Sequence, residues 1–369
     1  MKKSINPFRI SLLAVLFFSL IFVACEGPAG KDGATGATGP QGPAGPKGDP
    51  GQSGAEQCGV CHNNGTSLFE KKMQWAYSLH GTGDIYIYGN RVGCAQCHTH
   101  HGFLEYITTG ATASAPYSEP ATINCRTCHK IHENYDETDW AITKTNDVVF
   151  YETAGKATAN FGKGNLCGQC HQALPTSPAI DVNSSADYLI TSLRFGAHHS
   201  PAANLYANTI AFAPKGSKTY PTTNVHASVA DACVSCHMSE GPVAHGEPVG
   251  GHTFRMSTED GTVVNYKSCQ GCHSEVTSKF NDKEGFYEAF KADLMTADSL
   301  FVAKGWRNAS GYWIANGKNA SATNPLVVSQ NQAAAAYAYQ LLLEDKSNGI
   351  HNPKYARAVL DNILEELRK

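Results

Sequence analysis

The sequence predicts a mainly α-helical fold with long irregular loops, packed around prosthetic groups rather than around one apolar core. One pentapeptide, Cys-x-x-Cys-His, occurs six times between Cys58 and His273. Residues 55–281 otherwise contain short apolar stretches, frequent Gly and Pro, and no sustained period of 2 or 3.6. Residues 282–369 differ, because their apolar residues recur at helical spacing.

The repeated pentapeptide is the attachment signature of c-type haem, in which two thiols form thioethers and the His ligates the iron. Zinc ribbons and thiol redox sites also use Cys-x-x-Cys, but neither requires a His immediately after the second Cys. The cofactor-binding cysteines are Cys58, Cys61, Cys94, Cys97, Cys125, Cys128, Cys167, Cys170, Cys233, Cys236, Cys269 and Cys272. The proximal iron ligands are His62, His98, His129, His171, His237 and His273. Of the 13 cysteines only Cys25 remains, so the sequence predicts six covalent haems and no disulfide framework.

Six haems leave about 50 residues of the body for each, too few to build a separate apolar core around every group. We therefore expect a multihaem cytochrome c fold in which the porphyrins replace the core. This predicts a hexahaem domain over residues 55–281, with short helices after each attachment motif, long loops and almost no sheet.

Each low-spin haem needs a second axial ligand, and ten histidines lie outside the motifs. His132 follows His129 by three residues, on the same face of an expected helical turn, so it should reach a neighbouring iron. His198 and His199 should supply one ligand between them, while the roles of His100, His101 and His245 stay open. The distal candidates are His80, His132, His199, His226, His252 and His351, with Met73, Met238 and Met256 as alternatives. An iron with two protein ligands has no place for a substrate, which favours an electron carrier.

Residues 282–369 form the predicted C-terminal helical region, a hairpin or bundle that carries a distal ligand. Helical spacing indicates a first helix over 284–304 and a second over 326–344. A third helix should begin after Asn352 as N-cap, with Pro353 at the first helical position. The tight connection before it places His351 at the mouth of the hairpin.

Three segments carry a family resemblance: Cys233-Val-Ser-Cys-His237-Met238, Gly250-Gly251-His252-Thr253-Phe254, and Gly349-Ile350-His351-Asn352-Pro353 before a helix. They resemble the bacterial multihaem cytochromes c related to the pentahaem nitrite reductases, cytochrome c554 and hydroxylamine oxidoreductase. The resemblance implies that His252 and His351 are distal haem ligands. Ammonia-forming nitrite reductases attach their catalytic haem through Cys-x-x-Cys-Lys, which does not occur in this sequence.

Residues 1–24 read as a secretory signal, with a basic start and an apolar run from Ile10 to Ala24. The run ends in Phe22-Val23-Ala24-Cys25, which resembles a bacterial lipobox, although Phe22 departs from the usual residue. Cys25 is therefore the predicted lipidation site, and its acyl chains would anchor the mature protein to a membrane. We expect the protein in the cell envelope, at the outer membrane, facing the periplasm or the cell surface.

Glycine occupies every third position from Gly27 to Gly54, giving nine Gly-X-Y triplets. This strict period is typical of collagen, in which only Gly fits at the axis of three chains. Residues 25–54 are thus a lipidated Cys followed by a collagen-like stalk. A homotrimer and a single extended spacer both stay open, and an extended stalk would reach about 85 Å from the anchor.

The formal charge of −3 becomes −6 without Lys2, Lys3 and Arg9 of the signal. Two ionised propionates per haem would add about −12 and six ferric irons would return about +6, so the oxidised holoprotein would carry about −12. This charge favours basic partner surfaces and argues against nucleic acid. The sequence favours electron transfer to redox partner proteins or an extracellular acceptor, and not an enzyme. The alternatives are a reductase for nitrite, hydroxylamine or a sulfur oxyanion with one open haem, and a subunit of a cytochrome filament.

If the glycine period serves trimerisation, a soluble protein that begins at Glu26 will sediment as a trimer at low temperature. The substitution Gly39→Ala will give a monomer, because its methyl group occupies the crowded axis of the triple helix. Analytical ultracentrifugation and the circular dichroism signal of the triple helix measure both. A monomer in both proteins, without that signal, would leave the segment as a spacer.

Overall fold

The computed structural model describes residues 58, 59, 62, 65–151, 157–198, 200–244, 246–276 and 285–369. The signal, Cys25, the stalk from Gly27 to Gly54, Cys61, His199 and His245 lie outside these residues, so the expectations for them stay predictions. From Gln52 to Lys369 the chain forms one compact unit.

The body is helical with little sheet. Its α-helices are α1 (Thr66–Ala76), α2 (Leu79–Thr82), α3 (Val92–His98), α4 (His100–Thr109), α5 (Cys125–Cys128), α6 (Asn165–Gly168), α7 (Ala202–Tyr206), α8 (Cys233–His237), α9 (Phe286–Ala303), α10 (Gln330–Asp345) and α11 (Pro353–Leu367). Short 3-10 helices cover Ile85–Asn90, Glu137–Trp140, Gly162–Gly164, Val225–Ser228 and Gly251–Thr253. Long irregular segments join these elements, as the scarcity of periodic apolar residues predicted.

The strands of the described residues form small antiparallel pairs. They are β1 (Val148–Val149), β2 (Thr158–Ala159), β3 (Asp187–Ile190), β4 (Glu240–Ala244), β5 (Glu247–Gly250), β6 (Ile314–Ala315), β7 (Lys318–Asn319) and β8 (Leu326–Ser329). Three pairs join neighbouring strands, whereas β3 pairs with the distant β8, with Asp187 opposite Ser329 and Ile190 opposite Leu326. This long-range pair ties the middle of the chain to its C-terminal helices.

Four of the attachment motifs contribute residues to α-helices and the sixth is a turn, while the expectation of a helix after each motif is wrong for most of them. Helices α3, α5, α6 and α8 each contain motif residues, and only α3 is directly followed by another helix, α4. In the third, fourth and sixth motifs the His backbone N–H donates to the carbonyl of the first Cys, at 2.8, 2.9 and 2.8 Å. A single helical turn thus brings two thiols and one imidazole together, and the chain is free to turn away afterwards.

The main apolar core lies in the C-terminal region. Phe290, Leu294, Ala297 and Phe301 form the buried stripe of α9, at the spacing that the sequence predicted. Helix α10 packs against α11 and α9 through small residues, because Ala333 to Ala336 are fully or nearly fully buried. Alanine side chains let the backbones approach closely, so this part of the body has an ordinary core of its own.

Residues Leu326 to Ser329 form β8, although the sequence predicted helix from Leu326. Their side chains alternate between buried and exposed, and Val327 and Val328 are β-branched, which suits a strand. Helix α10 begins only after Ser329, whose hydroxyl accepts from the Gln332 backbone while the Gln332 side chain accepts from the Ser329 backbone. This capping box fixes the start of α10.

Helix α11 begins as predicted, with Asn352 as N-cap and Pro353 in the first turn. The Asn352 side chain accepts from Tyr355 N at 3.4 Å and donates to Leu205 O at 3.2 Å and to Asn208 Oδ1 at 2.9 Å. The cap therefore also binds the helix to the segment after α7.

Within the described ranges, each helix is too short or too polar to serve as a membrane span.

The substitution Leu360→Ala tests the C-terminal core, because Leu360 is fully buried on α11. We expect a loss of about 2–5 kcal/mol in unfolding free energy, the usual effect of a cavity in place of a buried Leu. Leu189→Ala, at a side chain that is 48% exposed on β3, is the matched control and should change stability much less. Guanidinium unfolding followed by circular dichroism would measure both, and equal effects would contradict the packing.

Candidate haem-binding site

The histidine side chains form six facing pairs, and each pair joins one attachment motif to a histidine outside the motifs. The distances between ring centroids are 6.1 Å for His62 and His132, 6.0 Å for His98 and His198, 6.2 Å for His129 and His252, 5.9 Å for His171 and His80, 6.2 Å for His237 and His351, and 6.5 Å for His273 and His226. Every proximal histidine therefore has one partner.

This spacing fits an iron between the rings. Two imidazoles on one metal place their centroids about 6.2 Å apart, since each metal–nitrogen bond is about 2 Å long and each nitrogen lies about 1.1 Å from its ring centre. The six observed distances lie within 0.3 Å of that value. Ordinary packing contacts between rings would not require the same centroid distance in all six histidine pairs.

Five of the distal candidates, His80, His132, His226, His252 and His351, face a proximal histidine. For the second motif the ring that faces His98 is that of His198. The predicted residue at this place, His199, lies outside the described residues. The sequence could not choose between these two neighbours, because both are within reach of the same motif.

His132 reaches the first motif and faces His62, but it does not lie on a helical turn as expected. His129 is extended, and His132 has a positive φ of 70°. The carboxylate of Asp139, which is buried, accepts from the backbone N–H of His132 at 2.7 Å, of Asn134 at 2.8 Å and of Tyr135 at 3.1 Å. Burial opposes ionisation, yet these hydrogen bonds lower the pKa of Asp139, so its charge holds the loop that presents His132.

His252 is presented by a turn that requires two glycines. Gly250 and Gly251 have φ values of 75° and 54°. A Cβ would lie 2.0 Å from Ser239 O at the first position and 2.3 Å from Gln74 Oε1 at the second. The Gln74 side chain also accepts from His252 N at 2.9 Å, so α1 positions this ligand.

Phe254 lies between three of the histidine pairs. Its ring centroid is 5.2 Å from that of His80 and 6.0 Å from that of His252, and its carbonyl accepts from Nδ1 of His237 at 2.9 Å. Trp75 of α1 stacks on His80 with 6.1 Å between the centroids and also contacts Phe254 edge-on at 6.2 Å. The pairs of the third, fourth and fifth motifs therefore share one aromatic neighbour.

Asn224 joins the two distal histidines of the fifth and sixth motifs. Its Oδ1 accepts from His226 N at 2.9 Å, and its Nδ2 donates to His351 O at 2.9 Å. Tyr206 donates to the His226 carbonyl at 2.5 Å. The sequence contained no signal for these polar contacts, since each partner is distant along the chain.

In several paired histidines one ring nitrogen already has a polar partner, which leaves the other nitrogen available to a metal. Nδ1 of His129 lies 2.6 Å from Trp140 O, Nδ1 of His237 lies 2.9 Å from Phe254 O, and Nδ1 of His351 lies 2.6 Å from Asp345 Oδ1. Hydrogen bonds of this kind set the tautomer and orientation of metal-binding histidines. The Nε2 atom of each ring is then the free ligand atom.

Burial lowers the pKa of five of the paired histidines, His80, His171, His226, His237 and His252, and so favours the neutral form that binds iron. Burial, followed by the neighbouring His80, His237 and His351, lowers the pKa of His171 to about 3. Burial and then His129 lower the pKa of His252 to about 4. Neutral, buried rings in facing pairs suit a metal that supplies the positive charge.

The thiols of different motifs meet. The sulfur of Cys97 in the second motif lies close to that of Cys170 in the fourth, and the sulfur of Cys167 in the fourth lies close to that of Cys233 in the fifth. Cys128 of the third motif is close enough to interact electrostatically with Cys167 and Cys170, and Cys269 of the sixth interacts in the same way with Cys236 of the fifth. The eleven described cysteines are all free of disulfides.

His100 and His101 face each other and not a proximal histidine, with 5.1 Å between their centroids. His100 is buried, and its Nδ1 lies 3.0 Å from Oγ1 of Thr127, between the two cysteines of the third motif. His101 stacks on Tyr117 at 5.7 Å. His100 thus joins α4 to the third motif as a structural contact.

Six attachment motifs, each with a facing imidazole, support a multihaem c-type cytochrome with covalently bound haem. Residues 215–369 match the family model of cytochrome c552, a range that contains the last two motifs and His226, His252 and His351. The rest of the chain lies outside that match. No curated protein matches the chain.

Solved structures of other cytochromes are similar to this chain at low identity. The outer cell wall cytochrome OcwA is 20% identical with a TM-score of 0.46, over 80% of this chain and 50% of that one. The undecahaem cytochrome from the S-layer of Carboxydothermus ferrireducens is 17% identical with a TM-score of 0.41, over 75% and 38%. The cytochrome c nitrite reductase catalytic subunit from Desulfovibrio desulfuricans is 13% identical with a TM-score of 0.39, over 75% and 64%. The match spans about half the length of OcwA.

The variants His198→Ala and His199→Ala test the ligand of the second motif. The facing of His98 and His198 predicts that His198→Ala opens one iron and converts one haem to high spin, while His199→Ala keeps all haems low spin. Electron paramagnetic resonance of the oxidised protein distinguishes the two. The opposite result would assign the ligand to His199.

Proposed function

We propose that this protein is a lipid-anchored hexahaem cytochrome that transfers electrons and binds no substrate at its irons. Haem supplies the redox chemistry, since its iron exchanges one electron with a partner. The protein attaches each haem through two thioethers and closes both axial positions with imidazoles.

The observation that carries this proposal is the set of six facing pairs. Every proximal ring has a histidine of the same chain on its far side, at 5.9 to 6.5 Å between centroids. A reductase would need one iron without a second protein ligand. A filament that shares haem ligands between subunits would need one position left for a histidine of the next subunit. Both alternatives therefore have less support than an electron carrier.

The contacts between motifs support a continuous arrangement of haems with one branch. The fourth motif contacts the second and the fifth through thiols and lies near the third, while the sixth lies near the fifth. The first motif joins the third, because His132 follows the third motif and faces His62. This gives the order one, three, four, five, six, with the second motif beside the fourth. Thiols that attach to neighbouring porphyrins bring the edges of those groups close together.

The envelope location rests on the N-terminal sequence. Lipidation at Cys25 would hold the protein at the outer membrane, and the collagen-like stalk would carry the haem-binding body away from the surface, either as a trimer or as a single spacer. The expected partners are redox proteins or an extracellular electron acceptor, with basic surfaces complementing the acidic holoprotein.

Cofactor load and spin state test the proposal together. The pyridine haemochrome assay should give six haems per chain that survive acid acetone, and paramagnetic resonance of the oxidised protein should show low-spin iron. The variant His80→Ala should introduce one high-spin haem, whereas the control His101→Ala should not, because His101 faces Tyr117. Fewer than five haems, or a stoichiometric high-spin haem that binds nitrite, cyanide or carbon monoxide, would contradict the electron carrier.

A further inference from the structure

His351 is bonded to a carboxylate that is shielded from solvent. Its Nδ1 lies 2.6 Å from Oδ1 of Asp345, whose side chain is 0% exposed. The second oxygen of Asp345 accepts from the backbone N–H of Ser347 at 3.3 Å and from the Ser347 hydroxyl. The carboxylate is therefore held in one orientation, with Oδ1 directed to the imidazole.

At the paired histidines whose ring contacts are known, the partner differs from the buried carboxylate of Asp345. His129 and His237 donate to neutral backbone carbonyls. The half-buried ring of His226 interacts with backbone groups of Ile350 and His351. His273 has Glu275 at 3.8 Å, but that distance is too long for a hydrogen bond and the Glu275 side chain is 44% exposed. Solvent screens such an exposed pair, so its effect on the ring is small.

Three features give the Asp345 charge a strong effect on the ring. The bond is short and charge-assisted, and the lack of solvent leaves the charge poorly screened. Asp345 is also the last residue of the 16-residue helix α10, where the helix dipole adds negative potential.

We propose that Asp345 is a positioning and tuning residue that lowers the reduction potential of the haem bound by His237 and His351. The inference rests on the proposed function, since it requires His351 to be an axial ligand. A carboxylate on the far nitrogen makes the imidazole a stronger donor and stabilises ferric iron. Reduction adds one electron at the iron, breaks no bond and leaves the N–H proton between His351 and Asp345. The negative charge opposes that electron and makes this step less favourable.

The consequence is a low-potential centre between the fourth and the sixth motifs. Electrons that pass between them would cross a site that is harder to reduce than it would be with a neutral hydrogen-bond partner. Such a site would make electron transfer between the two sides energetically less favourable without changing how many electrons each side can hold.

The variant Asp345→Asn tests the tuning, because it keeps the shape and a hydrogen-bond acceptor but removes the charge. In a dithionite titration of the full chain, one sixth of the haem absorbance change should move to higher potential. We expect the equilibrium constant for reduction of this haem to rise about tenfold, which corresponds to 59 mV for a one-electron couple. Glu344→Gln is the control, since it removes the same charge one residue earlier, where the side chain accepts from Gln340 at 3.0 Å. It should leave the titration unchanged.

Ser347→Ala is a milder second test with the opposite sign. Loss of the hydroxyl donor leaves more negative charge on Asp345 and should move the same sixth of the absorbance to lower potential. If Asp345→Asn fails to fold, the titration of Ser347→Ala tests whether Asp345 tunes the reduction potential.

Six low-spin haems with unchanged potentials in Asp345→Asn would overturn the tuning role and leave the electron carrier intact. So would an unchanged titration of Ser347→Ala. A wild-type protein with fewer haems or with a high-spin iron would instead contradict the proposed function on which the inference rests.

Discussion

The structure depends on the distance between two imidazoles. A metal with two axial histidines holds the ring centroids about 6.2 Å apart, and this protein repeats that spacing six times. In each pair one ring comes from a short helical turn whose form is set by its own residues. The other ring comes from elsewhere in the chain. At His252 the backbone is held by Gln74, which lies 178 residues earlier. The irregular segments between the short helices place these second rings opposite the first.

Different local structures position the distal histidine rings. A buried Asp139 gathers three backbone N–H groups around the segment of His132, and two glycines allow the turn before His252. The third device is helical packing, because α10 and α11 frame the connection that contains His351. A body with so little sheet needs these devices, since few long elements are available to position a side chain.

Electrostatics separate the fifth pair from the others. Burial lowers the pKa of paired histidines such as His171 and His252, whereas His351 has the charge of Asp345 at its far nitrogen. Charge close to a buried ligand acts with little screening, so one side chain is enough to distinguish otherwise similar sites. The C-terminal core holds that side chain at the end of α10.

The sequence by itself predicts the attachment residues, because the Cys-x-x-Cys-His segment is local and its chemistry is complete within five residues. It also determined the N-cap at Asn352 and the apolar stripe of α9, which depend on spacing along one helix. Only the tertiary structure decided which histidine faces which motif, because the chain must fold back over long distances to make each pair. The same is true of β8, where pairing with β3 overrides the helical pattern, and of Asp345, whose effect comes from burial and from one contact that no spacing reveals.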